Sequence, residues 1–424
     1  MKGHVTKDKI AYIIEAALEH FIALFVTGTM LGYILDTLGF SDALQGIVST
    51  VATFTCGAQL FALLFTGRRK KRIVVIGNLI NQSAFALLYL LPVFPLSPAA
   101  RTVLLMVLLL FGHVISNAMT PSRVIWLMGA VPNGERGRFT AVKEMISLAG
   151  GMAVSLSFGR VADIFRNTEG MPTRPYYLIC ATALVIMMLL HTVSLLLASE
   201  REETAKRRLP PRAVIAGMLC NRSLLLVIGV GVLWNITSAL SASFFVSYVR
   251  EELGFSFTVI AAITTAGSIA RILASPFFGK LADKHSFATS MTVAFSVAAL
   301  AFLAMVFATP ATRWLYLVYV CLHSFAMASI ISGSINLIYD YVAPEERSVA
   351  LGVKNAIGGI LAFFTALLAG LLLEKLQAMG GLHLFGMTLY AQQVLATFSF
   401  LATLLLIVYM RLVIAPLGRQ GCDG

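Results

Sequence analysis

The sequence predicts an all-α membrane protein in which twelve transmembrane helices form two six-helix bundles related by a parallel internal repeat. Of the 424 residues, 58% are hydrophobic and 12% charged, with a mean hydropathy of +0.86. A soluble domain carries about 25% charged residues, so the expected solvent is a lipid bilayer. Twelve apolar stretches are long enough to cross it, and several phrases recur about 210–215 positions later.

The twelve predicted spans need about 20 apolar residues each, and at that length only helices satisfy their own backbone in lipid. They lie at 11–35, 42–65, 73–91, 101–127, 139–162, 176–198, 223–247, 257–279, 288–308, 314–340, 348–373 and 390–414. The longest polar segment, 199–221, is charged and interrupted at Pro210 and Pro211. It predicts a cytoplasmic linker between an N-terminal bundle, 1–198, and a C-terminal bundle, 222–424.

The basic residues predict the orientation of the chain. With the N-terminus inside, 21 of the 32 Lys and Arg residues fall in cytoplasmic segments, seven fall outside and four lie within spans. Cytoplasmic loops carry this excess in membrane proteins. We therefore expect both termini in the cytoplasm of a multi-pass plasma membrane protein. This distribution also accounts for the net charge of +12 without a nucleic-acid partner.

Site chemistry of an enzyme is not visible in the sequence. The five cysteines are scattered without metal or redox spacing, and no phosphate-binding GxxxxGK[ST] loop, HExxH or GxSxG pattern occurs. We expect no enzyme activity, no cofactor and no metal site. No large extramembrane domain is visible, so a monomer is expected.

Two short sequence segments and one histidine recur at equivalent positions of the two halves. LGFS precedes the second span of each half, at Leu38–Ser41 and Leu253–Ser256, where the serines suit helix N-caps. VPNGERGRFTAVKEM, from Val131, and VAPEERSVALGVKNA, from Val342, both lie between fourth and fifth spans. His113 and His323 lie in the middle of fourth spans. These recurrences indicate duplication of a six-span unit, which has the same orientation in both copies.

The loop GKLADKHS at Gly279–Ser286 follows a second span and resembles the signature loop of the major facilitator superfamily, as does the organisation of the whole chain. The first half departs from that pattern, because Leu64 replaces the acidic residue in LFALLFTGRRKKR. The Gly-Pro motif of proton-coupled drug antiporters is also absent from the fifth span. The resemblance implies a secondary transporter that moves a small organic solute by alternating access.

Two carboxylates lie on one face of the first span. Glu15 and Glu19 are four residues apart, and an ionisable group in hydrocarbon costs about 2.5–3.5 kcal/mol. One interpretation is a cavity-lining pair that binds a proton or a cationic group. The alternative is that Glu15 reaches the cytoplasmic interface while Glu19 pairs with a basic neighbour.

Polar stripes on the fourth, seventh and tenth spans are the predicted solute contacts, since the resemblance implies that the first and fourth spans of each half line the cavity. The fourth span presents His113, Asn117 and Thr120, followed by Arg123, which is near enough to the span end to reach the interface. Neutral hydrogen-bonding groups beside aromatic residues suit a polar organic solute. The alternative is interhelical hydrogen bonding, worth about 0.6 kcal/mol per contact. The predicted contacts of the second half are Asn235, Ser238, His323, Asn336 and Asp340.

A second group of residues is predicted to act where the bundles meet. The resemblance implies that the fifth and eighth spans are neighbours, so Glu144 and Arg271 are expected to form an ion pair that Lys143 can also reach. It also implies that Asp283 faces the N-terminus of the fifth span and holds the cytoplasmic side closed. Neutralising Asp283 should favour the inward-open state. The other residues assigned to this group are Gly279, Lys284, Arg347 and Lys354.

Proton coupling is the expected driving force, with Glu19 as its first candidate, and facilitated diffusion is the open alternative. Two other functions also stay open. The chain could be a membrane sensor that has kept the fold and lost transport, as the altered loop at Leu64 permits, or it could export lipophilic compounds.

Overall fold

The structure is a computed structural model. It describes residues 2–65, 70–128, 131, 136–167, 173–200, 217, 220–339, 341–342, 347–384 and 387–420. Nearly all of these residues are helical, as the hydropathy predicts.

Where the structure describes the first half, it contains eight α-helices. They are α1 (Lys2–Phe25), α2 (Gly28–Thr37), α3 (Asp42–Ser49), α4 (Val51–Phe54), α5 (Lys70–Leu90), α6 (Pro98–Met128), α7 (Arg136–Asn167) and α8 (Arg174–Leu197). A 3-10 helix, Thr55–Phe65, continues from α4.

The described residues of the second half form eight more α-helices and a short hairpin. The helices are α9 (Arg222–Ala239), α10 (Phe245–Glu251), α11 (Phe257–Lys284), α12 (Phe287–Val306), α13 (Leu315–Tyr339), α14 (Arg347–Ala378), α15 (Ala391–Tyr409) and α16 (Ala415–Gln420). The strands β1 (Leu382–Leu384) and β2 (Met387–Leu389) pair in antiparallel fashion, with Leu382 opposite Leu389. This hairpin is absent from the sequence prediction.

Within the described residues, eleven helical segments are long and apolar enough to cross a membrane. The predicted span at 42–65 is the twelfth, and it is divided between α3, α4 and the 3-10 helix. Two hydroxyls explain the break. Thr50 Oγ1 donates to Ile47 O at 2.7 Å and Thr55 Oγ1 to Ala52 O at 2.9 Å. Such bonds compete with the regular α-helical ladder and accompany its tightening.

Both LGFS phrases form the same turn. Gly39 and Gly254 have φ angles of +74° and +68°, which a residue without Cβ adopts readily. Ser41 Oγ then accepts from Leu44 N at 3.4 Å, and Ser256 Oγ accepts from Val259 N at 3.3 Å. The predicted N-caps are confirmed.

The chain folds into two compact units. Unit 1 consists of Met1–Phe40, Ala58–Arg207 and Ser256–Ala261, and unit 2 of Ser41–Gly57, Arg208–Phe255 and Ala262–Gly424. Unit 1 therefore includes Ser256–Ala261 from the predicted C-terminal bundle, 222–424. Unit 2 includes Ser41–Gly57 from the predicted N-terminal bundle, 1–198. Most of the predicted linker, 199–221, lies outside the described residues.

Aromatic side chains form much of the core of unit 1. Tyr89 is fully buried and its hydroxyl donates to Phe25 O at 2.7 Å, which ties α5 to the end of α1. The ring of Tyr33 lies 4.5 Å from that of Tyr176 and 5.1 Å from that of Phe257. These contacts hold the first turn of α11 against α2 and α8.

In unit 2, α3 and α4 lie against α14 at glycine positions. A Cβ on Gly359 would lie 2.0 Å from Thr53 O, and one on Gly370 would lie 3.0 Å from Ile47. Small residues permit such close helix packing in membranes. Ser41 Oγ donates to Glu374 at 3.4 Å near one end of this contact.

Candidate functional site

A buried ionic cluster joins α1 to α6 within unit 1. Arg123 Nη1 lies 2.7 Å from Glu19 Oε1, and Arg123 Nε lies 3.4 Å from Glu15 Oε1. Glu15 is 2% exposed and Arg123 is 9% exposed. The sequence interpretation in which Arg123 and Glu15 reach the interface is therefore wrong. The alternative in which Glu19 pairs with a basic neighbour is confirmed, and that neighbour is Arg123.

His191 on α8 belongs to the same cluster, although the sequence analysis did not single it out. Its side chain is fully buried, with Nε2 3.5 Å from Glu15 Oε1 and Nδ1 3.8 Å from Glu19 Oε2. Gln82 Nε2 on α5 also contacts His191 Nδ1. Four helices of one unit thus contribute one side chain or more to a single polar centre. We name Glu15, Glu19, Gln82, Arg123 and His191 the carboxylate cluster.

A polar strip on α5 continues from Gln82. Asn78 and Gln82 are one turn apart, and Asn78, Asn81 and Gln82 are all at most 2% exposed. Each has at least one buried polar atom without a hydrogen-bond partner among the described residues. The phrase NLINQ, at 78–82, was the sequence signal available for this strip, because three amides in one span are costly unless they meet other polar groups.

The predicted stripe on α6 lies next to this cluster. Ser116 Oγ donates to Glu19 Oε1 at 3.5 Å, and Thr120 Oγ1 donates to Ser116 O at 2.8 Å. Asn117 Oδ1 accepts from Gln59 Nε2 at 3.2 Å. His113 is buried, with its ring 5.0 Å from that of Phe85, so its immediate neighbour is aromatic.

Lys143 of α7 lies over an aromatic ring of α1. Its Nζ is 4.7 Å from the centre of the Tyr12 ring, a cation–π arrangement. Glu144, the next residue, is exposed. The predicted ion pair between Glu144 and Arg271 would join residues of different units and stays a prediction.

Unit 2 contains an open cavity of about 290 Å³ between α9, α12, α13 and α14. Its walls are mainly apolar. Its polar lining comes from Asn235, Ser334, Lys354 and Asn355. Trp234 forms one wall, and its ring stacks on that of His323 at 5.9 Å between ring centres. Asn235 and Lys354 therefore share one cavity, whereas His323 is not part of its lining.

The other predicted residues of unit 2 are more dispersed. Ser238 is half-buried, and Asn336 Nδ2 donates to Ser332 O within its own helix at 3.0 Å. Arg347 lies over the Tyr339 ring at 4.5 Å. Asp340 lies outside the described residues. Gly279, Asp283 and Lys284 are exposed near the end of α11, and Arg271 is half-buried on the same helix.

Asp163 is a buried carboxylate that the sequence analysis did not identify. Its Oδ1 accepts from Phe257 N at 2.9 Å and its Oδ2 from Thr258 N at 2.8 Å, all within unit 1. The carboxylate therefore caps the N-terminus of α11 and satisfies two amides that have no partner inside the helix. A Cβ on Gly159 would lie 3.2 Å from Phe257 O, so α7 passes close to the same turn.

Among the described residues, no group of three or more His, Cys, Asp or Glu side chains is placed to hold a metal ion. Unit 1 presents the carboxylate cluster, which is polar and ionic. Unit 2 presents a mainly apolar cavity whose lining includes Lys354.

Long apolar helices, a six-span repeat and charged groups inside the spans define a polytopic membrane protein. The sequence profile of the Major Facilitator Superfamily matches residues 16–247 and again residues 226–420. The chain belongs to this superfamily, and the two successive matches confirm the predicted repeat.

Solved structures share the fold at low sequence identity. They include a peptide transporter of the POT family in an auto-inhibited form, with a TM-score of 0.72, 13% identity and coverage of 96% of this chain and 97% of that one. The nucleoside transporter NupG has a TM-score of 0.70, 13% identity and coverage of 96% and 99%. A D-xylose-proton symporter has a TM-score of 0.69, 13% identity and coverage of 95% and 97%.

The human protein Solute carrier family 67 member A1 is similar over part of its sequence. It is 28% identical over 130 residues, which are 30% of this chain and 31% of the human protein. The match spans about a third of each chain.

Proposed function

We propose that the protein is a proton-coupled secondary transporter that moves a small organic solute by alternating access between its two bundles. The observation that carries this proposal is the carboxylate cluster, in which Glu15, Arg123 and His191 are buried and Glu19 is half-buried. Superfamily membership supports transport. The cluster supports the proton as the coupling ion.

The formal charge of the cluster is the reason for proposing the proton as the coupling ion. With His191 neutral, Glu15 and Glu19 carry two negative charges against the single positive charge of Arg123. Lys143 on the neighbouring α7 interacts electrostatically with Glu15 and offsets the remaining negative charge. Uptake of one proton therefore changes the formal charge of these groups from zero to +1. A cluster that exchanges one proton with each transport cycle can thus link its charge to the conformation of the protein.

The surroundings of His191 can accommodate both protonation states. When the ring is neutral, Nδ1 accepts from the Gln82 amide and Nε2–H points toward Glu15. When it is protonated, both ring nitrogens donate. Gln82 Oε1 is buried without a partner in the described part of the chain, and rotation of the amide by half a turn would direct this oxygen to Nδ1–H. Gln82 can therefore satisfy the histidine in either state.

The other predicted properties stand as parts of the same proposal. We place the protein in the plasma membrane as a monomer with cytoplasmic termini, and we assign closure of the cytoplasmic side to Asp283. The polar stripe Ser116–Thr120 beside Glu19 supports contact between solute and the coupling group. A transport-inactive sensor on the same fold is the second function to be tested, and measured solute flux would exclude it.

The test is thermal unfolding of the detergent-purified protein with sugars, amino acids, organic acids and lipophilic cations, at one acidic and one alkaline pH. A compound that binds only the folded state adds about 2.7 kcal/mol at one hundred times its Kd. We expect a stabilising compound whose effect depends on pH, and we expect Glu19→Gln to remove that dependence.

The matched control is Glu252→Gln, which neutralises an exposed carboxylate outside the cluster. It should retain the pH dependence. The same compound should then drive proton movement into liposomes that contain a pH-sensitive dye. Solute flux without proton movement would contradict proton coupling, and binding without any flux would favour the sensor.

A further inference from the structure

We propose that the cavity of unit 2 binds a small organic anion with an apolar body, and that Lys354 holds its carboxylate. This inference names the substrate class of the proposed transporter and rests on that proposed function. It replaces the expectation of a neutral polar solute and gives Lys354 a role in binding rather than gating.

The first argument is the unbalanced charge of Lys354. Its ammonium makes no ion pair within the described residues, and its electrostatic neighbour there is the thiol of Cys56 rather than a carboxylate. A lysine within a span costs about 2.5–3.5 kcal/mol. A bound anion would remove this cost, whereas a cationic solute would increase it.

The second argument is the composition of the cavity around this cation. Trp234, Phe295, Met291 and Ile330 form apolar walls, and Asn235 and Asn355 supply amide groups. A pocket that combines apolar walls with a few polar groups fixes the orientation of a ligand with one charged end. The volume of about 290 Å³ is at the lower end for ligand pockets, so the body is one ring or a short alkyl chain.

The third argument compares the two repeats, which align at an offset of 215 in their first spans. Tyr33 and Tyr248 are both buried at this offset, and the two glycines of the LGFS turns also match. Glu15 and Glu19 of α1 therefore correspond to Val230 and Trp234 of α9, both of which line the cavity. Unit 2 has apolar residues in place of the two carboxylates and a cavity beside these positions.

The basic residues of the two repeats can be compared in the same way. Lys143, the equivalent of Lys354, lies over the Tyr12 ring on the helix that carries Glu15 and Glu19. Arg123 corresponds to Gly333 at the offset of 210 that relates the two histidines. The second repeat thus keeps one cation and none of the acids. An anion in the cavity would supply the charge that the protein itself supplies in unit 1.

The position of the Lys354 stem depends on Gly231. A Cβ on Gly231 would lie 2.9 Å from Lys354 Cδ, so the absence of a side chain allows the lysine to pass across α9. Gly231→Ala should therefore displace the ammonium without removing its charge.

The experiment measures binding by the fluorescence of Trp234. Trp126 and Trp314 are replaced by phenylalanine, which leaves Trp234 as the only tryptophan of the chain. The detergent-purified protein is titrated with phenylbutyrate, its neutral analogue phenylbutanol and its cationic analogue phenylbutylamine. We expect saturable binding of the acid, and binding of the alcohol and the amine at least about tenfold weaker.

Lys354→Gln should weaken phenylbutyrate binding about ten- to a hundredfold, Lys354→Arg should largely retain it, and Gly231→Ala should weaken it. Without ligand, Lys354→Gln should leave the melting temperature unchanged or raise it, because it removes an unbalanced charge. A lower melting temperature would identify a structural lysine and overturn the proposal. Equal affinity for acid and alcohol, or no saturable response to the acid, would also overturn it.

These binding measurements are independent of coupling. Binding of phenylbutyrate without proton movement in liposomes would contradict the proposed proton coupling and leave the anion site intact. Proton-coupled flux of an uncharged compound, with no phenylbutyrate binding, would contradict the anion site and leave the proposed proton coupling intact.

Discussion

Single residues show where sequence reasoning succeeds and where it stops. Glu15 and Glu19 were identified because two carboxylates in one apolar span are rare, and both belong to the ionic cluster. His191 was missed because one histidine in a span has no periodic partner in the sequence. Its neighbours Glu15 and Gln82 lie far away along the chain and are brought to it only by packing.

A first prediction concerns His191. His191→Gln removes a group that lies between two carboxylates and contacts Gln82, so the unfolding free energy should fall by about 1–3 kcal/mol. His285→Gln is the control, because His285 is exposed. An unchanged melting temperature for His191→Gln would show that these contacts contribute nothing to stability.

At the scale of helices, the hydropathy predicts eleven of the twelve spans close to where they lie, because burial of apolar side chains in lipid dominates there. The span at 42–65 and the hairpin at 382–389 depart from prediction. The span breaks because threonine hydroxyls compete for backbone carbonyls, an effect that hydropathy does not measure. The hairpin follows Gly380 and Gly381, whose positive φ angles redirect the chain after α14.

A second prediction concerns the cap of α11. Asp163→Asn removes the negative charge and one of the two acceptors at the N-terminus of this helix, which should cost about 1–2 kcal/mol of stability. Glu252→Gln neutralises an exposed carboxylate at the C-terminal end of α10, where a negative charge is unfavourable, and should cost nothing. Thermal unfolding of the two variants side by side tests the assignment. Equal melting temperatures would count against it.

A third prediction concerns the close packing of α4 on α14. Gly359→Ala places a Cβ 2.0 Å from Thr53 O, a backbone atom, so the helices must separate at a cost of about 1–3 kcal/mol. Gly279→Ala is the matched control, because a Cβ at that position meets nothing within 4 Å. Circular dichroism during heating should show a lower melting temperature only for Gly359→Ala. Unchanged melting would show that the two helices do not pack at this glycine.

The orientation of the whole molecule in the membrane is a fourth prediction, which rests on the distribution of basic residues. Cys220 is an exposed free thiol in the predicted cytoplasmic linker, and it provides a natural label. With Cys422 replaced by serine, a membrane-impermeant maleimide should label inside-out vesicles and leave right-side-out vesicles unlabelled. The reverse pattern would invert the topology.

The repeated tetrapeptide has a consequence for the integrity of the molecule. Both segments that join the other unit begin at its serine, Ser41–Gly57 entering unit 2 and Ser256–Ala261 entering unit 1. The boundaries of the sequence repeat and of the compact units therefore differ. In each half, the segment that starts at the serine of LGFS belongs to the unit formed mainly by the other half. Halves expressed separately, cut within 201–216, should each be unstable, and co-expression should restore a complex that purifies together. Independently stable halves would show that the exchanged segments are dispensable.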